Sequence, residues 1–477
     1  MMPTVKRHPI TLHIADPQLR QAFATIGADV RAAGGRALLV GGSVRDLVWG
    51  LPAKDLDIEV YGLPPQQVVA LLSARFPIDL VGQAFCVIKV HGLPIDISLP
   101  RRERKIGLGH QGFDVLSDPQ MPFEEAAARR DFTINALAYD PETGEILDAY
   151  GGLTDVRERR LRHTSEWFAD DPLRVLRGMQ LAARYGLHIH DATAGLGRRV
   201  FREYAALPVE RIWGEWAKWA GRAVIPSQGL IVLKACGWCE AYPELTALKG
   251  CPQDPEWHPE GDVWTHTLLV ADAAATIAAR DGLEEEDRLI LVLAALCHDL
   301  GKPATTETID GRVRSRGHAG RVEDIESFLT RIGAPPHVQE RIVALSRQHL
   351  VHCDFAGSPA HVRRLARTLG EAGETLQMLG RLVEADHSGR PPLPPSLPEP
   401  MADMLRIARD LKAADAAPKP ILLGRHLLAL GLQPGPDMGA LLKRAFEAQL
   451  DGAFSDLDGA RAWVSHSGIT GSGGKHG

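Results

Sequence analysis

The sequence has 477 residues, of which 45% are hydrophobic and 24% charged, and its formal net charge at pH 7 is −6. At roughly 150 residues per domain, this length predicts about three domains. The composition is typical of a globular protein, and the lack of a long uncharged apolar run excludes a membrane span. The first residues form no apolar signal segment, so we expect a cytoplasmic protein. The net charge gives no sign of nucleic-acid binding, which would have to depend on a local basic patch.

The first 160 residues have the pattern of a mixed α/β domain. Ala37–Val60 predicts a strand, a Gly-Gly turn, the start of a helix and a second strand. Further strands are predicted at Phe85–Val90 and Leu93–Leu99, and helices at Pro65–Arg75 and Glu124–Arg130.

From Asp171 onward the apolar residues follow helical spacing, which predicts mostly helical domains. The proline-rich segment Arg390–Pro400 is predicted to be an extended linker. After it we expect two amphipathic helices around a turn at Gly431–Pro436, and a disordered end, GSGGKHG.

Asp55 and Asp57 occupy alternate positions at the end of a predicted strand, so their side chains point to one face. With a third carboxylate from a neighbouring strand, they can hold two divalent ions that activate a hydroxyl and stabilise a leaving phosphate. Asp96 is our candidate for that third carboxylate. The alternative is a solvated acidic strand edge, which an Asp-Leu-Asp motif alone does not exclude.

Gly41 and Gly42 stand between the first strand and the helix start. Backbone amides at such a turn can bind a triphosphate, and Arg45 can add a charged contact. An ordinary strand-to-helix turn with a surface arginine explains the same pattern.

Five motifs follow one another over about the first 220 residues. They are GGSVRDLVWGLPAKDLDIEV (Gly41–Val60), RRDFTINALAYD (Arg129–Asp140), GGLTDVRERRLR (Gly151–Arg162), DDPLRVLRGMQLAARYG (Asp170–Gly186) and ERIWGE (Glu210–Glu215). In this order they resemble the bacterial class II CCA-adding enzymes, tRNA nucleotidyltransferases of the polymerase β superfamily. The resemblance implies that Asp55 and Asp57 hold catalytic Mg²⁺. It also implies nucleotide contacts from Gly42, Arg45 and Arg130, and sugar contacts from Asp131 and Asn135 that separate NTP from dNTP.

A second group of residues matches the base-selecting helix of that family. At i and i+3 on one helix face, Asp171 and Arg174 can present an acceptor and a donor to one base, which would replace a nucleic-acid template. Arg177, one turn further on, matches another nucleotide-contacting arginine of the family. An intrahelical ion pair is the alternative explanation. The chain departs from the family pattern at Asp170 and at Met179-Gln180-Leu181.

Further along the chain, His266 lies on one predicted helix and the adjacent pair His298-Asp299 at the end of another. With a distant Asp, such residues form a mixed nitrogen and oxygen site suited to Mn²⁺, Ni²⁺, Co²⁺ or Mg²⁺. This arrangement resembles the HD-domain phosphohydrolases. The resemblance implies metal ligation by His266, His298, Asp299 and Asp386, and a phosphate contact from Lys302. His318 and His349 are candidates for further ligands or substrate contacts, whereas His258 and His352 are expected in the core.

Binding a tRNA acceptor arm requires clustered cations. One candidate cluster is Arg101, Arg102, Arg104 and Lys105, and the other is the run that contains Arg159 and Arg160. For the second, a solvated helix face is an equal alternative. The segment KIGLGHQGF, which follows the first, resembles the flexible loop that the family uses when switching from CTP to ATP.

The sequence therefore predicts an α+β nucleotidyltransferase head followed by all-α neck, HD and tail domains. The expected boundaries are 1–160, 161–250 and 251–389, then the linker 390–400 and the tail 401–477. The expected activity is CCA addition to tRNA from CTP and ATP with Mg²⁺ in the head. The HD domain, with a divalent transition metal or Mg²⁺, is expected to hydrolyse phosphate esters at tRNA ends. We expect a monomer or homodimer.

Three alternatives stay open. The first is a poly(A) polymerase of the same superfamily, and the second is a specialist that adds only CC or only A. The third is an HD phosphohydrolase whose head binds RNA without catalysis.

Overall fold

The structure is a computed structural model that describes residues 2–81, 87–105 and 113–466, with the backbone alone at 81, 102–105 and 113–116. Its strands are β1 (Lys6–Pro9), β2 (Arg36–Val40), β3 (Leu56–Tyr61), β4 (Ile78–Val81), β5 (Val87–Val90), β6 (Ile95–Ser98), β7 (Arg101–Lys105), β8 (Phe113–Ser117), β9 (Ala138–Asp140), β10 (Glu145–Asp148), β11 (Arg160–Leu161), β12 (His188–Ile189), β13 (Thr306–Ile309) and β14 (Arg312–Ser315).

The α-helices of the first half are α1 (Pro17–Ala32), α2 (Gly42–Val48), α3 (Pro65–Ser73), α4 (Phe123–Ala128), α5 (Gly152–Arg157), α6 (Arg174–Tyr185), α7 (Asp191–Val200), α8 (Val209–Arg222), α9 (Pro226–Ala235) and α10 (Pro243–Ala247). Those of the second half are α11 (Val263–Arg280), α12 (Glu285–Cys297), α13 (Lys302–Thr305), α14 (Val322–Arg331), α15 (Pro336–Gln348), α16 (Pro359–Glu371), α17 (Leu376–Ser388), α18 (Glu399–Asp410), α19 (Gly424–Ala429), α20 (Pro436–Asp451) and α21 (Leu457–His466).

Eight of the strands form one mixed sheet in the order β1-β10-β9-β2-β3-β6-β5-β4. The pairing of β3 with β6 is parallel, and it places Asp57 opposite Asp96. The pairing of β2 with β3 is antiparallel. Because every second residue of β3 is buried, Leu56, Ile58 and Val60 pack inward and the intervening acidic residues lie on the other face.

The chain divides into two compact units, and each is described separately here. The first comprises residues 1–219 and 228–241, and the second comprises residues 220–227 and 242–477. The finer domain boundaries predicted from the sequence stay predictions.

In the first unit, helical segments follow the sheet, and large aromatic side chains form their core. Trp216 and Trp219 of α8 are fully buried, and their ring centroids lie 5.2 Å apart. Trp238 is also fully buried, and its Nε1 donates a hydrogen bond to the carbonyl oxygen of Gly197. These indoles explain how a helical segment outside the sheet keeps its own packed interior.

In the second unit, α11 packs against α12 and α17, and α12 also packs against α15. The contacting faces of α11 and α12 are rich in alanine, with Ala271, Ala274, Ala294 and Ala295 fully buried. Small side chains let the helices approach closely, and this brings polar residues on four helices toward one point.

The predicted fold class is confirmed, because a mixed sheet is followed by helical regions. The predicted linker needs one correction: α18 begins at Glu399, so the last two linker residues are helical. Pro400 occupies the first turn of that helix, where proline is tolerated because the amide there has no intrahelical partner. Among the described residues, no helix combines the length and apolar character needed to cross a membrane.

Candidate active sites of the two units

The first site is a carboxylate cluster, defined here as Asp55, Asp57 and Asp96. Asp57 is the second residue of β3, Asp55 immediately precedes that strand, and Asp96 lies opposite Asp57 on β6. Burial raises the pKa of Asp57, and the charges of Asp55 and Asp96 raise it further, whereas the charge of Arg130 lowers it. The structure thus brings the three predicted carboxylates together, with Lys89 Nζ 3.0 Å from Asp96 Oδ2 at the outer side.

The Gly-Gly turn lies directly beside this cluster. Gly41 has a φ of +73°, and a Cβ atom there would lie 2.8 Å from Arg130 Nη1 and 3.6 Å from Asp57 Oδ2. Ser43 Oγ, on α2, accepts a hydrogen bond of 3.2 Å from the backbone amide of Asp57. The backbone conformation at position 41 therefore requires glycine, and any side chain there would displace the guanidinium of Arg130.

Arg45 is buried, with 4% of its surface exposed, and its partners are protein groups. Its Nη1 donates to Asn135 Oδ1 at 2.5 Å, and its Nη2 donates to Asp46 Oδ1 and to the hydroxyl of Tyr185, both at 2.7 Å. The guanidinium also lies over the Tyr185 ring, 4.4 Å from its centroid. The sequence analysis did not identify Asp46 or Tyr185 as parts of the site.

Asn135 connects Arg45 to an acidic residue. Its Nδ2 donates to Asp131 Oδ1 at 3.0 Å, and Asp131 Oδ2 lies 2.5 Å from Arg177 Nε. Burial acts to raise the pKa of Asp131, but the charge of Arg177 and the hydrogen bonds from Asn135 and Phe132 outweigh it and lower the pKa. We call the four residues Arg45, Asn135, Asp131 and Arg177 the polar relay. The sequence identified each of them separately but not their connection.

The prediction that Asp171 and Arg174 share a helix face is wrong. Helix α6 begins at Arg174, and Asp171 is extended, with φ −125° and ψ 97°. The physical reason is Pro172, because a residue before proline is sterically driven out of the helical region. Asp171 Oδ2 accepts from Arg211 at 2.9 Å, whereas Arg174 donates to the carbonyl oxygens of Trp167 and Arg129, both at 2.7 Å.

The predicted RNA-binding residues lie in two places. Arg159 donates to the carbonyl oxygen of Tyr185 at 2.6 Å, and Arg160 contacts Asp155 and Glu158, so both are engaged within the chain. The other predicted cluster lies on β7, which pairs with β8; its residues are Arg101, Arg102, Arg104 and Lys105. Residues 106–112 of the adjoining Gly-rich loop lie outside the described residues.

The second site is a histidine–aspartate cluster, defined as His266, His298, Asp299, His318, His349 and Asp386. His266 Nε2 lies 3.1 Å from Asp386 Oδ1 and 3.7 Å from Asp299 Oδ2. Asp299 Oδ2 also lies 3.1 Å from His298 Nε2. The structure therefore brings together the four residues predicted as metal ligands, from α11, the end of α12 and α17.

Asp299 extends the cluster with its other oxygen. Oδ1 lies 3.1 Å from His318 Nε2 and 4.0 Å from His349 Nε2. Two histidine–carboxylate groups that could each hold a metal ion, His266-His298-Asp299 and Asp299-His318-His349, thus share one carboxylate.

Backbone carbonyls orient three of the imidazoles. Nδ1 of His298 lies 2.8 Å from the Ala295 oxygen, Nδ1 of His318 lies 2.7 Å from the Ser315 oxygen, and Nδ1 of His349 lies 2.6 Å from the Ser346 oxygen. These contacts assign the proton to Nδ1 and leave the Nε2 lone pair facing the cluster.

The cluster fits a bound cation. The Nε2 atoms of His318 and His349 lie 3.2 Å apart, and with both protons on Nδ1 their lone pairs face each other. Such lone pairs repel unless a cation or a proton lies between them. His298 Nε2 and both oxygens of Asp299 are buried without a well-oriented hydrogen bond. Imidazole and carboxylate donors of this kind suit divalent transition metals.

A pocket of about 360 Å³ adjoins the cluster. Its lining includes Lys302, whose Nζ lies 2.7 Å from Asp299 Oδ2, the exposed Trp257, and Arg390. His258 and His352 also line the pocket. The side chain of His258 is only partly buried, so the expectation that His258 belongs to the core is wrong, whereas His352 is buried as expected. The pocket lies inside the second unit and gives the cluster access to a small substrate.

The described fold and the two clusters define a nucleotidyltransferase head combined with an HD domain. The profile of the Poly A polymerase head domain family matches residues 37–162, and that of the HD domain family matches residues 263–417.

The multifunctional CCA protein of Vibrio vulnificus strain YJ016 is 35% identical over 379 residues, which cover 78% of this chain and 89% of that protein. The chain therefore belongs to the family of CCA-adding tRNA nucleotidyltransferases that carry an HD domain, and it is an enzyme of that class.

Solved structures of this class share the fold. The CCA-adding enzyme of Bacillus stearothermophilus in complex with CTP has a TM-score of 0.63 and 22% identity, over 95% of this chain and 98% of that one. The Thermotoga maritima CCA-adding enzyme complexed with tRNA has a TM-score of 0.59 and 19% identity, over 95% of this chain and 97% of that one.

Proposed function

We propose that the head adds C, C and A to the 3′ end of tRNA from CTP and ATP without a nucleic-acid template. The observation that carries this proposal is the alignment of Asp57 with Asp96, beside Asp55 and the Gly41 turn. In the same proposal the substrate is the tRNA acceptor arm, and the protein acts in the cytoplasm as a monomer or homodimer.

The carboxylate cluster fits Mg²⁺ because its oxygen ligands converge from two strands, where burial and then the charges of Asp55 and Asp96 raise the pKa of Asp57. Asp55 and Asp57 would hold the ion, and Asp96 would complete the site. Bound Mg²⁺ supplies charge neutralisation at the attacking hydroxyl and the leaving pyrophosphate. The Gly41–Gly42 turn lets the triphosphate approach closely, and Arg130 adds positive charge beside it.

The polar relay would recognise the ribose and position the nucleotide. Asp131 and Asn135 have oxygen and amide groups held in fixed positions by Arg177 and Arg45, so a 2′-hydroxyl can be selected at low cost in conformational entropy. Gly42 and Arg130 would contact the triphosphate directly. The internal bonds of Arg45 support a role in holding Asn135 rather than a direct nucleotide contact.

Base selection would involve α6 and the segment before it. Asp171 and Arg174 do not share a helix face, so they would reach the base edge only if their contacts with Arg211 and with the two carbonyl oxygens were exchanged for the base. Arg177 lies at the same end of α6, and its side chain is half exposed. It could therefore contact the base without giving up its ion pair with Asp131. The basic strand β7 and Arg159–Arg160 would contact tRNA phosphates.

For the HD domain we propose a metal-dependent phosphohydrolase that removes phosphate groups from damaged tRNA 3′ ends. Its activity would be that of a phosphatase, a 2′-nucleotidase or a 2′,3′-cyclic phosphodiesterase. His266, His298, Asp299 and Asp386 would hold one divalent ion, and Asp299 with His318 and His349 would hold a second. Bound metal supplies a nucleophile at neutral pH by lowering the pKa of water. Lys302 would place its ammonium beside the phosphate.

Nucleotide incorporation separates this proposal from its alternatives. Transcripts of tRNA that end before CCA, after C and after CC are incubated with Mg²⁺ and each NTP, and the product ends are sequenced. Two C additions followed by one A support the proposal. Unlimited A addition would instead indicate a poly(A) polymerase. Addition of CC alone or of A alone would indicate a specialist.

Matched variants assign each activity to its site. Asp55→Ala is expected to abolish incorporation and to leave phosphohydrolysis intact, and His298→Ala is expected to do the reverse. If Asp55→Ala changed nothing, the head would be a non-catalytic RNA-binding module. If His298→Ala kept full cyclic-phosphodiesterase activity, the hydrolase proposal would be refuted.

A further inference from the structure

We propose that Glu260 is a positioning residue of the HD site, which holds the imidazole of His266 with its Nε2 turned toward Asp299 and Asp386, the side on which a bound cation would lie. This inference rests on the proposed phosphohydrolase function and adds a residue outside the histidine–aspartate cluster. Glu260 lies in the segment between α10 and α11.

Glu260 is a buried charge with two histidine partners. Its side chain is 1% exposed, and its Oε1 lies 2.8 Å from His266 Nδ1 and 2.9 Å from His258 Nδ1. A buried carboxylate without partners is costly, so its retention at this position requires compensating contacts. The two imidazole nitrogens provide such contacts to Oε1, whereas Oε2 is buried without a hydrogen-bond partner.

The geometry at His266 fixes the orientation of its ring. The ring is fully buried, with Glu260 beside Nδ1 and with its far nitrogen, Nε2, 3.1 Å from Asp386 Oδ1. When a cation occupies the cluster, the proton would stay on Nδ1 beside Glu260, so that Nε2 can ligate the cation. His266 is the member of the cluster whose Nδ1 faces a carboxylate, whereas His298, His318 and His349 each face a backbone carbonyl.

A carboxylate beside Nδ1 acts on His266 in two ways. An ionised carboxylate is an acceptor without a proton to donate, so it favours a proton on the facing nitrogen. It therefore increases the basicity of His266 as well as orienting the ring.

An alternative arrangement uses the same atoms. His258, Glu260 and His266 lie close enough to hold an ion of their own on the Nδ1 side. That ion would need His258 as a ligand, whereas positioning by Glu260 does not. Substitution of His258 therefore distinguishes the two arrangements.

The experiment measures the affinity of the full chain for Mn²⁺ and Ni²⁺ by titration calorimetry after chelator treatment. We expect the affinity to fall about 10- to 100-fold in Glu260→Ala, the usual effect of removing such a partner. Glu260→Gln should lose less, because the amide oxygen still accepts a hydrogen bond but carries no charge. His258→Ala should bind metal like the unmodified chain.

A purely structural role is tested in parallel. The thermal unfolding midpoint of metal-free Glu260→Gln should match that of the unmodified chain while its metal affinity is reduced. Unchanged affinity in Glu260→Ala would overturn the inference, as would a loss in His258→Ala equal to that in Glu260→Ala. If the unmodified chain binds no divalent ion, the phosphohydrolase proposal fails together with this inference. If it binds metal and hydrolyses phosphate esters but the Glu260 variants do so equally, only the inference fails.

Discussion

Arg177 Nε lies 2.5 Å from Asp131 Oδ2, although the Arg177 side chain is half exposed and Asp131 is buried. The arginine therefore neutralises a buried carboxylate through Nε while about half of its side chain stays accessible. A group arranged in this way can bind a ligand without losing its internal partner.

The first prediction concerns this ion pair. Arg177→Ala should reduce incorporation of CTP and ATP about 10- to 100-fold, since a hydrogen bond to a charged group contributes about 1.5–3 kcal/mol. Arg177→Lys should recover only part of that loss because an ammonium cannot bind through two edges. Initial rates on a CC-ended and a CCA-less transcript measure both effects.

The control for Arg177 is Arg199→Ala in the same unit. Arg199 forms an exposed ion pair with Glu166, and such pairs contribute little. Its incorporation rate should equal that of the unmodified chain. A rate for Arg177→Ala equally close to normal would contradict the proposed role.

The second prediction concerns Gly41. Gly41→Ala should lower incorporation at least about tenfold, because the new Cβ would lie 2.8 Å from Arg130 Nη1 and displace it from the carboxylate cluster. Gly144→Ala is the matched control, since Gly144 also has a positive φ but nothing within 4 Å of its Cβ position. Gly144→Ala should lose about 1–2 kcal/mol of stability from backbone strain. Gly41→Ala should lose more, because its ψ of −139° lies outside the left-handed helical region, and only Gly41→Ala should lose activity. Equal activities would show that the close approach is unimportant.

The third prediction concerns the number of metal ions in the HD domain. Native mass spectrometry should find two divalent ions per chain in the second unit and one in His318→Ala, because His318 belongs only to the second group of ligands. His337→Ala, at an exposed position on α15, should keep both ions. Two ions in His318→Ala would contradict the shared-carboxylate arrangement.

The fourth prediction concerns stability and pH. Glu244 accepts hydrogen bonds from Ser327 at 2.6 Å and from Arg331 at 3.0 Å. Burial acts to raise the pKa of Glu244, but these bonds outweigh it and lower the pKa. The stabilisation is therefore fully present above the unfolded value of about 4.3, and it is lost as the pH falls through the lowered folded value.

Glu244→Gln should thus lower the free energy of unfolding by about 1 kcal/mol at pH 7. The loss is smaller than for a fully buried ion pair because Arg331 is partly exposed. The difference in thermal unfolding midpoint between the two proteins should stay constant from pH 7 to 5 and shrink at pH 4 and 3. A difference that grows as the pH falls would mean that folding raises the pKa of Glu244, and it would contradict this prediction. Glu371→Gln, at an exposed ion pair, should show no difference at any pH.

Local sequence patterns predicted the carboxylate cluster well. Alternation of buried and exposed positions in β3 is enough to place Asp55 and Asp57 on one face, and the strand at Asp96 is short and apolar on its other face. Their alignment across β3 and β6 follows from parallel pairing, which the sequence alone does not specify.

Other parts of the sites depend on contacts between distant segments, and the sequence does not reveal them. Arg45 and Tyr185 are separated by 140 positions, and their hydrogen bond depends on how α2 and α6 pack. Glu260 lies in an irregular segment without periodicity, so nothing in its spacing connects it to His266. The start of α6, by contrast, could be predicted from the sequence, because Pro172 indicates that Asp171 is extended.

The two hydrogen bonds of Asn135 restrict which amino acids position 135 can accept. Its carbonyl end faces the cation of Arg45 and its amino end faces the anion of Asp131, so each end of the side chain must carry the opposite polarity. Aspartate would set a carboxylate oxygen against the carboxylate of Asp131, leucine would satisfy neither neighbour, and glutamine would be one methylene too long. Residues 45, 131 and 135 are therefore interdependent, and none of them can be exchanged without a compensating change in another.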